Sequence, residues 1–372
     1  MSELEKIDWP QILDRLEKLA TSEMGRSQLR KTEALDKPSS ALDSLQIISE
    51  FQAVIELGQR PFMESLDLYS TWFTRLEKRA NLKTLELKDI RHFCIEALAL
   101  HEILGNLSSP WIVHYQKQIL PAEEPLSAID NLMTPDGQIR NDASKELFRL
   151  YKEKESLGRD IQLLLDQLVT QHELEGILQD RYVTTREGRW VLPIKSGMQS
   201  RFAGIIHASS QSKQTVFMEP KEVVLQNNRL RELEVAIEEE IERLLKDLTE
   251  YLSSIADEIK QTKEVMKECD IRFAQAHLAN QMQASSPLFT ENEIELIEVR
   301  HPVFVLKHEQ VVANNVKLNI RERILLLSGP NAGGKTVLLK AIGLAAQMAR
   351  CGLPICAQPG SKLPFFSPLT VA

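Results

Sequence analysis

The sequence predicts a mainly α chain that closes on the opening of an α/β P-loop domain. Three observations carry that expectation. Apolar residues recur at helical spacing over most of the 372 residues. One stretch, 181–219, switches to short β-rich runs broken by Gly, Ser and Gln. Near the end, Gly329–Thr336 fits G-x-x-x-x-G-K-[ST] between an apolar run and a further helical pattern. The composition agrees: aromatic residues make up only 6%, while Glu, Leu, Lys and Gln are abundant, a balance that favours long helices over a β-sandwich.

Residues 1–140 read as a helical core. Ile7, Ile12, Leu16 and Leu19 share one stripe, and Phe93–Leu104 continues the period. Breakers at Pro38, Gly58, Pro61, Gly105, Pro110, Pro121 and Pro125 cut the region into short helices that pack as a bundle. No recognisable chemistry sits there.

From 141 to 180 a longer helix is expected, with Leu147, Leu150, Leu157, Ile161, Leu164 and Leu168 on one face and Asn141, Asp142 and Ser144 as start signals. A second runs over 221–287, with Leu230, Leu233, Ile237, Ile241, Leu244, Leu248, Leu252, Ile255 and Ile259 at steps of three and four. As a single helix of roughly 60 residues it would reach about 90 Å. The stripe then needs a partner helix to cover it. Between the two, 181–220 contributes four strand-like runs, at Tyr182–Thr184, Trp190–Leu192, Gly204–Ile206 and Thr215–Phe217. A helix out, a small β module and a helix back make an antiparallel arm with a tip.

The last region, 288–372, alternates strand-like pieces (Ile294–Val299, Val303–Leu306, Arg323–Ser328) with loops and a helix from Lys335 to Arg350. Its motif supplies the candidate ligand site: Gly329, Pro330, Asn331, Ala332, Gly333, Gly334, Lys335 and Thr336, with Val337 behind them. The glycines let backbone N–H groups turn toward phosphate oxygens, and the helix start adds its positive end. Lys335 serves as a point charge for the β- and γ-phosphates of ATP, and the Thr336 hydroxyl as a Mg²⁺ ligand. The competing reading is a glycine-rich turn with a surface lysine. Arg300-His301-Pro302 just upstream reads first as structural. Val311–Asn315 is a candidate for the purine side of the pocket. No Asp or Glu occurs in Leu363–Ala372, so the acidic strand that phosphate-loop hydrolases need is missing, the chain looks truncated, and no residue here is assigned a catalytic role.

Charge is uneven. The net charge is −8, which excludes nucleic-acid binding by bulk charge. Yet 181–213 holds Arg181, Arg186, Arg189, Lys195, Arg201 and Lys213 against the one acid Glu187, while 222–268 carries 13 acids and 7 bases. Charge alone leaves two readings of this tip open: a surface for DNA phosphates, or an ordinary solvated β face. The four cysteines, Cys94, Cys269, Cys351 and Cys356, form no C-x-x-C pair and read as reduced, buried thiols. With an acidic N-terminus and no apolar span, a cytoplasmic location is expected.

At this point the residues resemble a family. Gly329-Pro330-Asn331-x-x-Gly334-Lys335-Thr336 is similar to the G-P-N-x-x-G-K-[ST] loop of MutS proteins, and Arg300-His301-Pro302 to the start of their ATPase domain. Further stretches resemble the second bacterial branch, MutS-II. These are Asp136-Gly137-x-Ile139-Arg140-x-Asp142-Ala143-Ser144, Arg186-Glu187-Gly188-Arg189-x-Val191-Leu192-Pro193-x-Lys195 and Gly204-x-x-His207, followed by Val216–Pro220, Asn227-Asn228 and Cys351–Ile355. The resemblance implies lever helices at 141–180 and 221–287, a clamp at 181–220, and the N-terminal part of an ABC/MutS-type ATPase at 288–372. It also implies a homodimer that binds ATP and Mg²⁺ and closes around branched, damaged or mismatched DNA, limiting recombination, with ribosomes as an alternative target. Family members continue into a Walker B region and an Smr nuclease module, so nuclease activity is not carried over. The mismatch wedge of classical MutS is not expected either, since Phe217-Met218-Glu219 and Phe289-Thr290-Glu291 fit Phe-x-Glu in the wrong places. Val311 stands where classical members stack a Phe on adenine.

Overall fold

The computed structural model describes residues 3–319, 321–322, 324–328, 334–366 and 370. The chain divides into two compact units. One comprises Met1–Ala80, Leu85–Ser127 and Leu252–Ala372; the other comprises Asn81–Thr84 and Ala128–Tyr251. Among the described residues, no helix is long and apolar enough to cross a membrane.

The larger unit opens with helices α1 (Glu3–Lys6), α2 (Trp9–Glu17), α3 (Glu23–Arg30), α4 (Pro38–Glu56), α5 (Tyr69–Glu77), α6 (Thr84–Leu104), α7 (Pro110–Gln116) and α8 (Glu123–Leu132), whose last residues pass into the second unit. Of the expected stripe, Ile7, Ile12 and Leu16 are buried and Leu19 is half-buried; Phe93 and Leu104 are buried too. Ser22 caps α3 by accepting from Gly25 N–H, and its own hydroxyl donates to the buried Asp270 carboxylate at 2.6 Å. Thr21 and Ser22 N–H donate to the same group. Asp270 thus joins the start of α3 to a helix more than two hundred residues away.

The second unit is a helix pair with a sheet. Helix α9 (Lys145–Val169) starts where Ser144 accepts from Leu147 N–H, three residues beyond the first of the expected start signals. The sheet follows, with β1 (Thr184–Arg186), β2 (Arg189–Lys195), β3 (Gly204–Ser209) and β4 (Thr215–Pro220) in the order β1-β2-β4-β3, all neighbours antiparallel. Glu187 and Gly188 both take φ > 0, the two-residue turn that matches strand twist. Helix α10 (Val224–Ser254) then runs back along α9. Leu147 and Leu150 pack on Leu233 and Ile237, while Ile161, Leu165 and Leu168 pack with Leu192, Ile194, Met218 and Leu230 into the sheet's own core. Ion pairs Lys154–Glu234 and Arg229–Glu153 bridge the two helices at the surface.

The expected single helix over 221–287 is two. It breaks at Ile255 (φ −109, ψ 20), and α11 (Ala256–Met282) resumes in the other unit. Ser253 and Ser254 are weak helix formers, and Ser253 Oγ donates to Leu76 O at 3.2 Å. Of the stripe's last three members, Leu252 and Ile259 are buried there and Ile255 is half-buried, and Phe273 meets Phe51 of α4 edge-on at 4.9 Å. The periodicity past Ser254 therefore marks a core helix.

After α11 come β5 (Leu288–Phe289), β6 (Ile294–Val299), α12 (Pro302–Leu306), β7 (Asn314–Leu318), α13 (Lys335–Arg350) and β8 (Lys362–Leu363), with strand order β5-β8-β6-β7. β6 and α13 fall where expected. Val303–Leu306 does not: it is helical, because Pro302 occupies the first helical turn with its φ preset and no N–H to satisfy. The expected strand at 323–328 is not formed at 324–328. Its remaining residue, Arg323, lies outside the described residues. Ile324 and Leu326 are 88% and 86% exposed, since no strand among the described residues pairs with them. All four cysteines are buried, and none of them is in a disulfide.

Candidate functional site

The start of α13 is the candidate phosphate site. Gly334 precedes it at φ 74, a left-handed conformation that glycine adopts without strain. A Cβ there would meet nothing within 4 Å, so the requirement is on the backbone. The first helical bond is Leu338 N–H to Gly334 O, so the amides of Lys335, Thr336 and Val337 have no partner within the helix. Helix starts of this kind attract anions. Lys335 is partly buried and Thr336 exposed. Gly329, Pro330, Asn331, Ala332 and Gly333 lie outside the described residues.

Gly334, Lys335 and Val337 line a cleft of about 560 Å³ together with Ser328, Val299, His301, Phe304, Val311, Val312, Asn314, Leu338 and Ala341. The cleft thus brings the lysine, the helix start and the Val311–Asn314 segment together, as sequence order alone does not. Glu309, Gln310 and Leu327 complete the lining, so the wall mixes polar and apolar groups around the one lysine, and its apolar part suits a planar base carrying phosphates. The residues present fit a nucleotide. Thr336 is not in the lining, and among the described residues no cluster of three metal-ligating side chains occurs.

His301, structural by sequence, does more than fill space. It is 2% exposed, lies 4.7 Å from the Phe304 ring at a 34° tilt, and forms part of the cleft wall. Its Nε2 is 3.6 Å from Asp8 Oδ2, and Lys340 Nζ donates to both Asp8 oxygens at 3.0 and 2.9 Å. Burial, opposed by Asp8 and aided by Lys340 and Lys307, holds its pKa below the ordinary value. One turn further along α13, a Cβ on Gly343 would lie 3.1 Å from Ile7. The helix that opens with Lys335 is therefore seated directly on the chain's first turns.

The basic tip separates into two groups. Arg189 is a correction: its guanidinium is committed inward. Arg189 Nη1 donates to both oxygens of Glu219, at 2.8 and 3.1 Å, and Nη2 to Asn228 Oδ1 at 2.9 Å. The Glu219 side chain is fully buried, and it also meets His207 Nε2 at 2.6 Å and accepts from Asn227 Nδ2 at 2.8 Å. Asn227 further bridges the N–H and C=O of Trp190. A buried carboxylate needs such a set of donors. Gly204 is required because a Cβ would collide with Glu219 O. Sequence reasoning noted Gly204, His207, Glu219, Asn227 and Asn228 only as fragments of motifs; their convergence was the missed signal.

The other five cations lie differently. Arg186 sits over the Phe217 ring at 4.1 Å and donates to Thr185 O. Arg181 pairs with Glu175 at 2.6 Å, and Lys195 reaches Gly176 O at 3.5 Å. Arg201 and Lys213 are exposed, Lys213 at φ 59 in the β3–β4 turn.

No protein-family model matches the chain. Curated relatives do. The protein named Endonuclease MutS2 of Aquifex aeolicus is 34% identical over 327 residues, covering 82% of this chain and 42% of that protein. The protein of the same name from Solidesulfovibrio magneticus is 30% identical over 377 residues (99% and 48%), and that of Bacillus velezensis 30% over 370 residues (98% and 47%). The chain spans about half the length of the curated relatives it matches.

Proposed function

We infer the function of this chain from its family: it belongs to the MutS family, on the MutS2 branch. Its proposed role is nucleotide-switched binding of DNA. ATP occupies the cleft at α13, with Lys335 and the amides of the helix start on the phosphates and apolar residues on the base. Mg²⁺, held by the Thr336 hydroxyl, would neutralise phosphate charge. Helices α9 and α10 act as levers and the β1–β4 sheet as a clamp that two copies close around branched, damaged or mismatched DNA, limiting recombination. Endonuclease activity, which names the relatives, is no part of this reading, and hydrolysis is not assigned to any described residue.

The observation that carries the nucleotide reading is the lysine at the first position of a 16-residue helix, after a left-handed glycine, in a cleft of nucleotide size. For DNA, the support is the family together with exposed Arg201 and Lys213 on an otherwise acidic chain. No feature of the described residues favours ribosomal RNA over DNA.

The test is DNA affinity against salt. Arg201→Glu with Lys213→Glu is expected to weaken binding and to lower the log–log salt slope by about one per lost phosphate contact. Equal affinity and slope at every salt concentration would reject the tip as the DNA surface.

A further inference from the structure

Strand β3 is an edge of the tip sheet, so among the described residues no strand pairs with its outer side. Proteins normally blunt such edges with charge, proline or a bulge. β3 does have a bulge, where the register shifts between Ile206 and Ala208. The bulge serves the interior, since His207 is only 15% exposed and meets Glu219. The edge itself is left with two adjacent isoleucines, Ile205 at 49% and Ile206 at 55% exposure. A sheet tied down by a fully buried carboxylate thus presents its most apolar pair to water.

What surrounds the pair points to its occupant. Arg201 lies exposed just ahead of β3, and exposed Lys221 donates its N–H to Ala203 O at the same end. Lys213 stands at the other end. Six residues of strand separate the two ends by about 20 Å. Of the two carboxylates between 196 and 222, Glu219 is buried and only Glu222 is exposed. A second copy paired edge to edge would bring Arg201 and Lys221 toward the other Lys213, like charges across a ladder. A polyanion suits these cations, and one with exposed apolar faces suits the isoleucines.

Resting on the DNA-binding reading, we propose that the β3 edge is the surface that takes DNA at a discontinuity. Its flanking cations hold phosphates while Ile205 and Ile206, which leave the strand toward opposite faces, each lie against an unstacked base. In a continuous duplex those faces are covered and unstacking costs free energy; at a branch they are already open. The edge therefore selects structure without reading sequence.

The test uses the full chain with two fluorescein-labelled probes of equal length, a three-way junction and a linear duplex. The wild type binds the junction more tightly. Ile205→Ser with Ile206→Ser lowers junction affinity roughly tenfold by losing apolar contact with the bases, and leaves duplex affinity within about twofold, since each phosphate contact remains. Duplex affinity doubles as the control for folding. Arg201→Ala with Lys213→Ala weakens both probes alike. An isoleucine variant that keeps the junction preference overturns the inference and spares the DNA reading. So does one that changes only self-association in sedimentation, which would make the edge an interface between copies. A wild type that binds neither probe removes the DNA reading and this inference with it.

Discussion

Two small sheets in this chain meet the same problem in opposite ways. The β1–β4 sheet buries Leu192, Ile194, Val216 and Met218 against α9 and α10, and places Glu219 at its centre with arginine, histidine and asparagine donors. The β5–β8 sheet is built from shorter pieces, two of them of two residues, and the most apolar run near it, Ile324–Leu327, pairs with no strand among the described residues. A sheet with a helix-covered face and a satisfied polar centre is complete by itself. An apolar run without strand neighbours gains nothing from its sequence, however strand-like that is. The lesson is that strand propensity becomes structure only where a neighbour accepts its hydrogen bonds and covers its side chains.

The sharpest way to break this comparison is at Glu219. Glu219→Ala leaves Arg189, His207 and Asn227 without their shared acceptor and is expected to cost about 3–5 kcal/mol. Trp190, whose backbone is bridged by Asn227, reports on that unit by fluorescence during urea unfolding once the signal that a Trp190→Phe variant retains, from the other three tryptophans, is subtracted. An unchanged Trp190 transition would show the knot to be decorative. The opposite pole is Leu326→Ser, in the exposed run. With the side chain already 86% exposed, stability should move by less than about 0.5 kcal/mol. A loss of several kcal/mol would mean that the run is covered in solution and that the two sheets are more alike than described.

Much of this was legible. Helix α13 begins and ends where expected, since a glycine before a periodic apolar run is a local signal. The four tip strands were each anticipated, β1 two residues early, because alternation and turn residues are local too. The misreadings share a cause in context. Val303–Leu306 has the β-branched look of a strand, but Pro302 outweighs it. The stripe from Leu230 to Ile259 keeps its period straight through Ser253–Ser254, so periodicity could not reveal the break at Ile255. Arg189 counted as one positive charge among six, and charge counting cannot see which arginine faces a buried carboxylate. His301 looked like part of a His-Pro turn because its neighbours, Asp8 and Lys340, come from far along the chain.

The Asp8–Lys340 contact and the Ile7–Gly343 packing also give the cleft at α13 a physical link to the helical core, since both act on the helix that Lys335 begins. Everything proposed for the switch depends on that helix start holding phosphate. Equilibrium dialysis of the folded full chain with ATP and Mg²⁺, repeated with Lys335→Ala, tests it most directly. The expected result is saturable binding by the parent and a loss of at least about tenfold in the variant, the scale of one desolvated charge-assisted contact. Equal binding by both proteins, or none by either, would contradict the site.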